Sequence, residues 1–179
     1  MTPPTISDLP EPLAAFRGRR IWRSTWGDVR AQCNGRGPPV FVKPLRDPKA
    51  FAARVISEFR DLIPSAHVPD EMPVLVSEPV EFVSEWRFFV LRGHVVGAGW
   101  YAGDPLRFPD PKVVAAAVRA WGADAPAGYG IDFGVTAGGR TILVEVNEGY
   151  SLGCLGLRPL PYSRILEARW VELVATNGH

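Results

Sequence analysis

The sequence predicts an α+β fold in which short antiparallel strands outnumber helices. Residues 82–101 and 129–149 each alternate apolar and polar side chains on both sides of a tight-turn dipeptide, which is the pattern of a β-hairpin. Apolar side chains at helical spacing follow two Asp-Pro steps, Asp47-Pro48 and Asp110-Pro111, which suit the first positions of a helix. Eighteen Pro and eighteen Gly in 179 residues favour many short elements.

Composition limits the class of protein. With 46% hydrophobic residues and a formal net charge of +1, the chain can bury a core and has no electrostatic bias toward nucleic acid or a membrane surface. No stretch approaches about 18 consecutive apolar residues, and no basic segment followed by an apolar run opens the chain, so we expect a cytoplasmic protein. Cys33 and Cys154 are isolated in sequence, which argues against a disulfide framework and a zinc site.

The first half of the chain is expected to contain strands and one helix. Residues 48–62 are predicted to be an amphipathic helix, because Asp47 suits the N-cap and apolar side chains recur at helical spacing after it. The other expected elements are an irregular proline-rich leader at 1–18, a strand at 19–26, a loop at 30–39, a short strand at 40–44 that carries Lys43, and a buried strand at 72–78.

A first hairpin is predicted over residues 82–101, with its turn at Arg92-Gly93. Counting outward from this turn places Glu85 opposite Trp100 and Arg87 opposite Ala98, and Glu85 and Arg87 share one face of the sheet. Further helices are expected at 111–122 and 163–175, on either side of the second hairpin.

The second hairpin, residues 129–149, gathers acidic side chains on one face. A two-residue Gly138-Gly139 turn, with positive φ at both glycines, places Asp132 directly opposite Glu145, and Asn147 follows two residues later on the same face. Two opposed carboxylates repel each other, so a hard divalent cation with oxygen ligands is the natural occupant, although an ordinary solvated polar face has the same pattern. The expected core-facing side chains are Ile131, Phe133, Val135, Ile142, Val144 and Val146.

Three segments taken together resemble the successive motifs of the ATP-grasp superfamily: VFVKP, VLVSEPVEFVSEWRFFV and IDFGVTAGGRTILVEVN. The EWR form of the middle segment most resembles the divergent branch named for two arginines and a lysine. This resemblance implies a single ATP-grasp domain of two small lobes of antiparallel sheet with helices, residues 19–80 and 81–179. It also implies ATP and Mg²⁺ as cofactors and an ADP-forming ligase that joins a small-molecule or peptide carboxylate to an amine.

The resemblance also implies roles for the N-terminal site residues. Lys43 would reach the phosphates, although a lysine on an exposed strand would have the same sequence pattern. The extended linker, formed by Glu78, Pro79, Val80 and Glu81, would contact adenine through the Pro79 carbonyl and the Glu81 N–H, or would simply connect two strands.

In the C-terminal half, Glu85 would accept hydrogen bonds from the ribose hydroxyls, with an ion pair to Arg87 as the alternative. Arg87 would bind the γ-phosphate or a carboxylate through its planar fork. The metal ligands implied by the resemblance are Asp132, Glu145 and Asn147.

The chain departs from the superfamily pattern in three places. Few residues precede Lys43, so we expect a full pre-ATP-grasp domain to be lacking and a partner protein or a second copy to supply it. No glycine-rich loop follows that strand. Gly130 stands where an arginine usually precedes the metal-binding aspartate, and Arg87, Lys112 and Arg158 are candidates to replace it. A non-catalytic ATP-binding module that acts with a partner and an ATP-dependent phosphotransferase remain alternative functions.

Overall fold

The structure is a computed structural model that describes residues 9–45 and 50–176. Its strands and helices, in chain order, are β1 (Ile21–Thr25), α1 (Trp26–Asn34), β2 (Val40–Pro44), β3 (Arg54–Ile56), α2 (Phe59–Leu62), β4 (Pro73–Ser77), β5 (Phe82–Leu91), β6 (His94–Gly103), α3 (Pro111–Trp121), β7 (Gly128–Thr136), β8 (Thr141–Glu148) and α4 (Pro159–Thr176). The chain divides into two compact units, residues 19–80 and the residues on either side of them. In the described residues we find no helix with the length and apolarity that crossing a membrane requires.

The unit of residues 19–80 is an antiparallel four-stranded sheet with the strand order β1-β4-β2-β3. One face of the sheet forms a core in which Val42, Val74 and Val76 are at most 1% exposed, and Trp26 from α1 packs into it. A capping box starts α1: Thr25 accepts a hydrogen bond from the Asp28 N–H, and the Asp28 carboxylate accepts one from the Thr25 N–H. The predicted strands at 40–44 and 72–78 are both present.

Two predictions for this unit are wrong. The helix predicted over 48–62 is replaced by β3, which pairs with β2, and by the single helical turn of α2, while the proposed N-cap Asp47 lies outside the described residues. β3 is favoured because β-branched Val55 and Ile56 suit a strand, Ile56 reaches the core, and β2 pairs with the backbone groups of β3. The first five residues of the loop predicted over 30–39 are helical, because α1 continues to Asn34.

The second unit contains an antiparallel sheet with the strand order β6-β5-β7-β8. Its main core lies between one sheet face and α3, whose N-cap Asp110 accepts a hydrogen bond from the Lys112 N–H. Helix α3 confirms the prediction, and α4 begins a few residues before its predicted start. Residues 9–16 were predicted to be part of an irregular leader, but Glu11–Phe16 forms a 3₁₀ turn whose Leu13 is fully buried in this core.

The β5–β6 hairpin has the predicted turn but a different register. Arg92 and Gly93 both have positive φ, and Leu91 pairs with His94 as expected. Two bulges then shift the pairing, so that Arg87 lies opposite Gly99 instead of Ala98 and Glu85 opposite Ala102 instead of Trp100. The extra residues of β6, Val96 and Tyr101, produce this shift.

The β7–β8 hairpin has a different turn from the predicted one but retains the predicted pair of Asp132 and Glu145. Thr136 accepts hydrogen bonds from Gly139 and Arg140, and only Gly139 has positive φ, so the loop contains three residues instead of the predicted two. The extra loop residue shifts the pairing by one residue, and a bulge at Val144 reverses this shift, so Asp132 lies opposite Glu145 as predicted. Phe133 consequently pairs with Leu143, and Leu143, not Val144, joins the core.

Candidate functional site

One row of residues crosses the sheet of the second unit and carries both signs of charge. Arg87 of β5 lies between Gly99 of β6 and Asp132 of β7, and Asp132 in turn lies opposite Glu145 of β8. Residues directly opposite each other in antiparallel strands point to the same face, so one cation and two carboxylates share this face. It is the face opposite to the main core, which contains Phe88 and Phe133.

Arg87 and Asp132 form a buried, bidentate ion pair. The Arg87 Nε and Nη2 groups donate to Asp132 Oδ1 and Oδ2, each at 2.8 Å. Only 8% of Arg87 and 5% of Asp132 is exposed, so both groups have left water and each needs the other for compensation. The sequence pattern predicted an opposed pair of carboxylates but did not predict this salt bridge between the two hairpins.

Gly130 makes room for the Arg87 side chain. A Cβ atom at position 130 would lie 3.2 Å from Arg87 Cδ and 3.4 Å from Arg87 Nε, which is closer than most side-chain contacts. The arginine therefore extends across β7 over the glycine and reaches Asp132. Of the three candidates to replace an arginine at position 130, Arg87 is the one that binds the Asp132 carboxylate.

Asn147 completes the hydrogen bonding of Asp132. The Asn147 Nδ2 group donates to Asp132 Oδ2 at 3.0 Å, so its amide oxygen is directed away from this bond. Within the described part of the chain, Asp132 Oδ2 accepts two hydrogen bonds and Oδ1 accepts one, which leaves a lone pair on Oδ1. Glu145 is half-buried beside this group.

The electrostatics of the row follow from burial and pairing. Burial raises the pKa of the Asp132 carboxyl, and the nearby negative charge of Glu145 acts in the same direction, while the Arg87 and Asn147 hydrogen bonds oppose the rise. The hydrogen bond to Asp132 raises the pKa of Arg87, against the effect of its own burial. The guanidinium is thus held in its charged form next to two acids.

The surroundings of Arg87 contain features that the sequence did not reveal. Tyr101, the extra residue of the β6 bulge, places its ring centroid 5.8 Å from Arg87 Cζ. The segment after β8 lies against β6, where a Cβ atom at Gly99 would be 2.5 Å from the Leu155 carbonyl oxygen. Neither contact has a sequence signal, because one depends on a bulge and the other on how an irregular segment returns across the sheet.

A second buried ion network holds the end of β8. Arg169 of α4 donates to both carboxylate oxygens of Glu148, at 2.8 and 3.0 Å, and to Glu172 at 2.7 Å. The Glu172 carboxylate also accepts the Ala127 N–H, at the start of β7. Because Glu148 directly follows Asn147, this network fixes the position of the strand end that carries the amide.

The remaining predicted site residues are divided between the units. Lys43 lies half-buried on β2, and the linker residues Glu78 and Pro79 are exposed after β4. The Glu78 carboxylate accepts the Arg20 N–H at 2.9 Å, and the Glu78 N–H donates to the Arg20 carbonyl at 3.1 Å, which fixes the start of the linker. In the second unit, Glu85 lies two residues before Arg87 on the same strand.

The candidate site can hold a hard cation through a mixed set of oxygen donors. Within residues 9–45 and 50–176, no group of three or more His, Cys, Asp or Glu side chains has the arrangement of a metal site. Asn147 belongs to a different class of ligand, and its amide oxygen with Glu145 and the Asp132 Oδ1 lone pair gives two carboxylates and one amide. Such a set suits Mg²⁺, which usually takes one or two protein carboxylates and completes its shell with water and phosphate oxygens.

Comparisons with known proteins identify the family of the chain and structures with a similar fold. The profile of an ATP-grasp domain family, family 2 of the clade named for two arginines and a lysine, matches residues 16–165. A search of curated proteins finds no match. The fold is similar to that of the ATP-grasp ligase PsnB in complex with the precursor peptide PsnA2 and AMPPNP, with a TM-score of 0.59 and 18% identity over 88% of this chain and 55% of PsnB.

Two further solved structures share the fold. D-alanine–D-alanine ligase from Bacillus anthracis has a TM-score of 0.58 and 14% identity over 90% of this chain and 63% of the ligase. D-cycloserine synthetase DcsG has a TM-score of 0.58 and 19% identity over 90% of this chain and 68% of the synthetase. The chain thus spans 55% of PsnB and 63% of the D-alanine ligase.

Proposed function

Because the chain belongs to this ATP-grasp domain family, the second of the clade named for two arginines and a lysine, we propose that it is an ATP- and Mg²⁺-dependent ligase that joins a carboxylate to an amine. The γ-phosphoryl group of ATP would pass to a carboxylate oxygen, giving ADP and an acyl phosphate. The amine would then attack the acyl carbon, and inorganic phosphate would leave with its bonding electrons. The single observation that carries the proposal is the charged row of Arg87, Asp132 and Glu145 with Asn147 beside it.

The metal-binding role falls to the second hairpin. Glu145 and the Asn147 amide oxygen would hold Mg²⁺, with the remaining lone pair of Asp132 Oδ1 as a third donor. When bound, Mg²⁺ neutralises charge on phosphate oxygens during phosphoryl transfer. Asp132 has a second role in this arrangement, because its hydrogen bonds orient Asn147 and Arg87 before any ligand binds.

Arg87 would bind an anion. Its Nε and Nη2 groups are directed to Asp132, so the Nη1 group is the part of the fork that would donate to the γ-phosphate or the substrate carboxylate. Asp132 fixes the guanidinium in advance, and such preorganised charge is the main contribution that a protein makes to phosphoryl transfer. No protein nucleophile is needed in this scheme.

Nucleotide binding would use the other predicted residues. Lys43 would neutralise phosphate charge, and Glu85 would accept hydrogen bonds from the ribose hydroxyls. The linker, Glu78 to Glu81, would contact adenine through the Pro79 carbonyl and the Glu81 N–H. The PsnB structure contains a precursor peptide, which supports testing peptide carboxylates as well as small ones.

A two-step experiment tests this proposal. Mg-ATP should raise the melting temperature, since a ligand at 100 times its dissociation constant stabilises the folded state by about 2.7 kcal/mol. ADP release is then measured with pools of amino acids, amines and short peptides, and the products are identified by mass spectrometry. An amide product is the expected result. A folded protein without a melting shift excludes the nucleotide site, whereas ATP binding without acceptor-dependent ADP identifies a binding module and a phosphorylated acceptor identifies a phosphotransferase.

A further inference from the structure

One face of the sheet of residues 19–80 packs against the core of this unit. On the opposite face, Lys43 is the residue with a role in the proposed function. Register places Arg23 of β1 and Lys43 of β2 on either side of Leu75 of β4, in one cross-strand row. The next row along β4 consists of Ile21, Ser77 and Phe41. We call these two rows the outer face, because they point away from the core formed by residues such as Val42 and Val76.

The outer face changes chemistry along β4. The row that adjoins the linker is largely apolar, with Ile21 and Phe41 both half-buried on either side of Ser77. The row farther from the linker carries two cations, and Arg23 is exposed to solvent. The order from Glu78 outward is therefore linker, apolar surface and positive charge, which is the order needed to bind the base and then the phosphates of one nucleoside triphosphate.

The two cations are spaced for a polyphosphate. Neighbouring strands lie about 4.8 Å apart, so Arg23 and Lys43, two strands apart, have Cα atoms separated by about 10 Å. Both side chains are long enough to converge above Leu75, and a guanidinium adds a bidentate donor to the point charge of the lysine. A lone lysine would neutralise only part of the charge of a triphosphate.

We propose that Arg23 is a second phosphate-binding residue, which acts with Lys43 on the α- and β-phosphates of the bound nucleotide. This inference rests on the proposed function for the identity of the ligand, but it concerns a residue that neither the motifs nor the charged row of the second unit includes. Arg23 supplies affinity for the phosphates and no affinity for adenosine.

The neighbouring residue Arg20 differs from Arg23 in its environment. Its guanidinium carbon lies 4.6 Å from the centroid of the Trp22 ring, and its backbone is hydrogen-bonded to Glu78. Trp22 pairs with Val76 and belongs to the core side of the sheet. Arg23 is thus the arginine of β1 that the register places in the row of Lys43.

The test compares Arg23→Gln with a matched control, Arg60→Gln. Arg60 belongs to the same unit, and its 76% exposed side chain forms a surface ion pair with Glu58, so both variants lose one exposed positive charge. Calorimetry would measure the affinity of each protein for Mg-ATP, ADP and adenosine, with tripolyphosphate as a competitor. Melting temperatures show that the variants are folded.

Arg23→Gln is expected to weaken Mg-ATP binding by about 10-fold or more, as loss of a charge-assisted hydrogen bond does. Adenosine affinity should change by less than about 2-fold, Arg60→Gln should bind like wild type, and Arg23→Lys should recover part of the loss. Equal Mg-ATP affinity of wild type and Arg23→Gln would overturn this inference and leave the proposed function intact. A wild-type protein that binds no Mg-ATP would instead refute the proposed function.

Discussion

The two hairpins of the second unit differ in how far a turn determines the pairing of the strands. In β5–β6 the turn is as predicted, yet two bulges move Glu85 and Arg87 to new partners. In β7–β8 the turn is longer than predicted, yet one bulge restores the pair of Asp132 and Glu145. A turn therefore sets the register only up to the first bulge, and a correct pair can result from two compensating differences.

The hairpins also contribute opposite charges to the site. β5 provides Arg87, and β7 and β8 provide the two acids and the amide. Their shared border between β5 and β7 carries the buried salt bridge, so the two hairpins depend on each other electrostatically as well as through backbone hydrogen bonds. Mutations can separate the part of this arrangement that maintains the fold from the part that serves a ligand.

The largest effect is expected from removing the cation that joins the hairpins. Arg87→Met should lower the free energy of unfolding by about 3–5 kcal/mol, because it leaves the Asp132 carboxylate buried without its ionic partner. Denaturant-induced unfolding measures this loss. The double variant Arg87→Met/Asp132→Leu is the control and should regain most of the stability, since an apolar pair of similar volume replaces the ion pair. A loss below about 1 kcal/mol in the single variant would contradict the buried pairing.

The next effect concerns the acidic hairpin and the chemical step. Glu145→Gln preserves shape and removes charge, and it should lower acceptor-dependent ADP formation by about 100-fold, equivalent to about 2.7 kcal/mol of transition-state stabilisation. ATP affinity should fall much less, because metal ions contribute mainly when the phosphoryl group is in transfer. Glu167→Gln on the exposed side of α4 is the matched charge control. Equal rates for the Glu145 variant and wild type would remove Glu145 from the metal site.

A smaller effect is expected in the β5–β6 hairpin, whose register differs from the prediction. Glu85→Ala should weaken ATP binding by about 1–3 kcal/mol, since the ribose hydroxyls lose a charged acceptor. The free energy of unfolding should change little. Calorimetric titration with ATP and with 2′-deoxy-ATP separates a ribose contact from a structural role, because a ribose contact makes wild type prefer ATP and the variant lose that preference. A destabilised variant with normal ATP affinity would make Glu85 a structural residue only.

Much of the site could be predicted because its residues lie at fixed spacings along two strands. Side-chain alternation is a local property, so Glu85 and Arg87 were placed on one face of β5 despite the change of cross-strand partners. The Arg87–Asp132 bond was not predictable in this way, since it requires β5 to lie next to β7, and strand order depends on the whole sheet. The space left by Gly130 can be assigned to the Arg87 side chain only when β5 is known to lie next to β7.

The wrong helix at 48–62 has a related cause. Phe51, Ile56 and Leu62 do face a core, as the helical spacing suggested, but they reach it from an irregular segment, a strand and a short turn. The pairing of β3 with β2 outweighed the helical spacing of the apolar residues. Such pairing depends on a distant segment, so the spacing of residues within 48–62 does not predict it. By contrast, the Thr25-x-x-Asp28 capping box is a local sequence signal for the start of α1.

The smallest effects are expected from alanine substitutions at the glycines of the two hairpin turns. In the β7–β8 turn Gly139 has φ of 79°, whereas Gly138 has no positive φ, and a Cβ atom at position 138 would have Thr136 Oγ1 as its nearest neighbour, at 4.0 Å. Gly139→Ala should therefore lower the free energy of unfolding by about 1–2 kcal/mol, the cost of a left-handed conformation for alanine.

Gly138→Ala should be neutral or should stabilise by about 0.4–1 kcal/mol, because it restricts only the unfolded chain. Gly93→Ala, at φ of 77° in the other turn, serves as the reference and should resemble Gly139→Ala. Urea unfolding of the three variants measures these differences. The two-residue turn predicted from the sequence requires positive φ at both Gly138 and Gly139. Equal losses of unfolding free energy at these two positions would therefore support that turn and contradict the bulge at Val144. A loss at Gly139 alone supports the three-residue loop, which together with the bulge pairs Asp132 with Glu145.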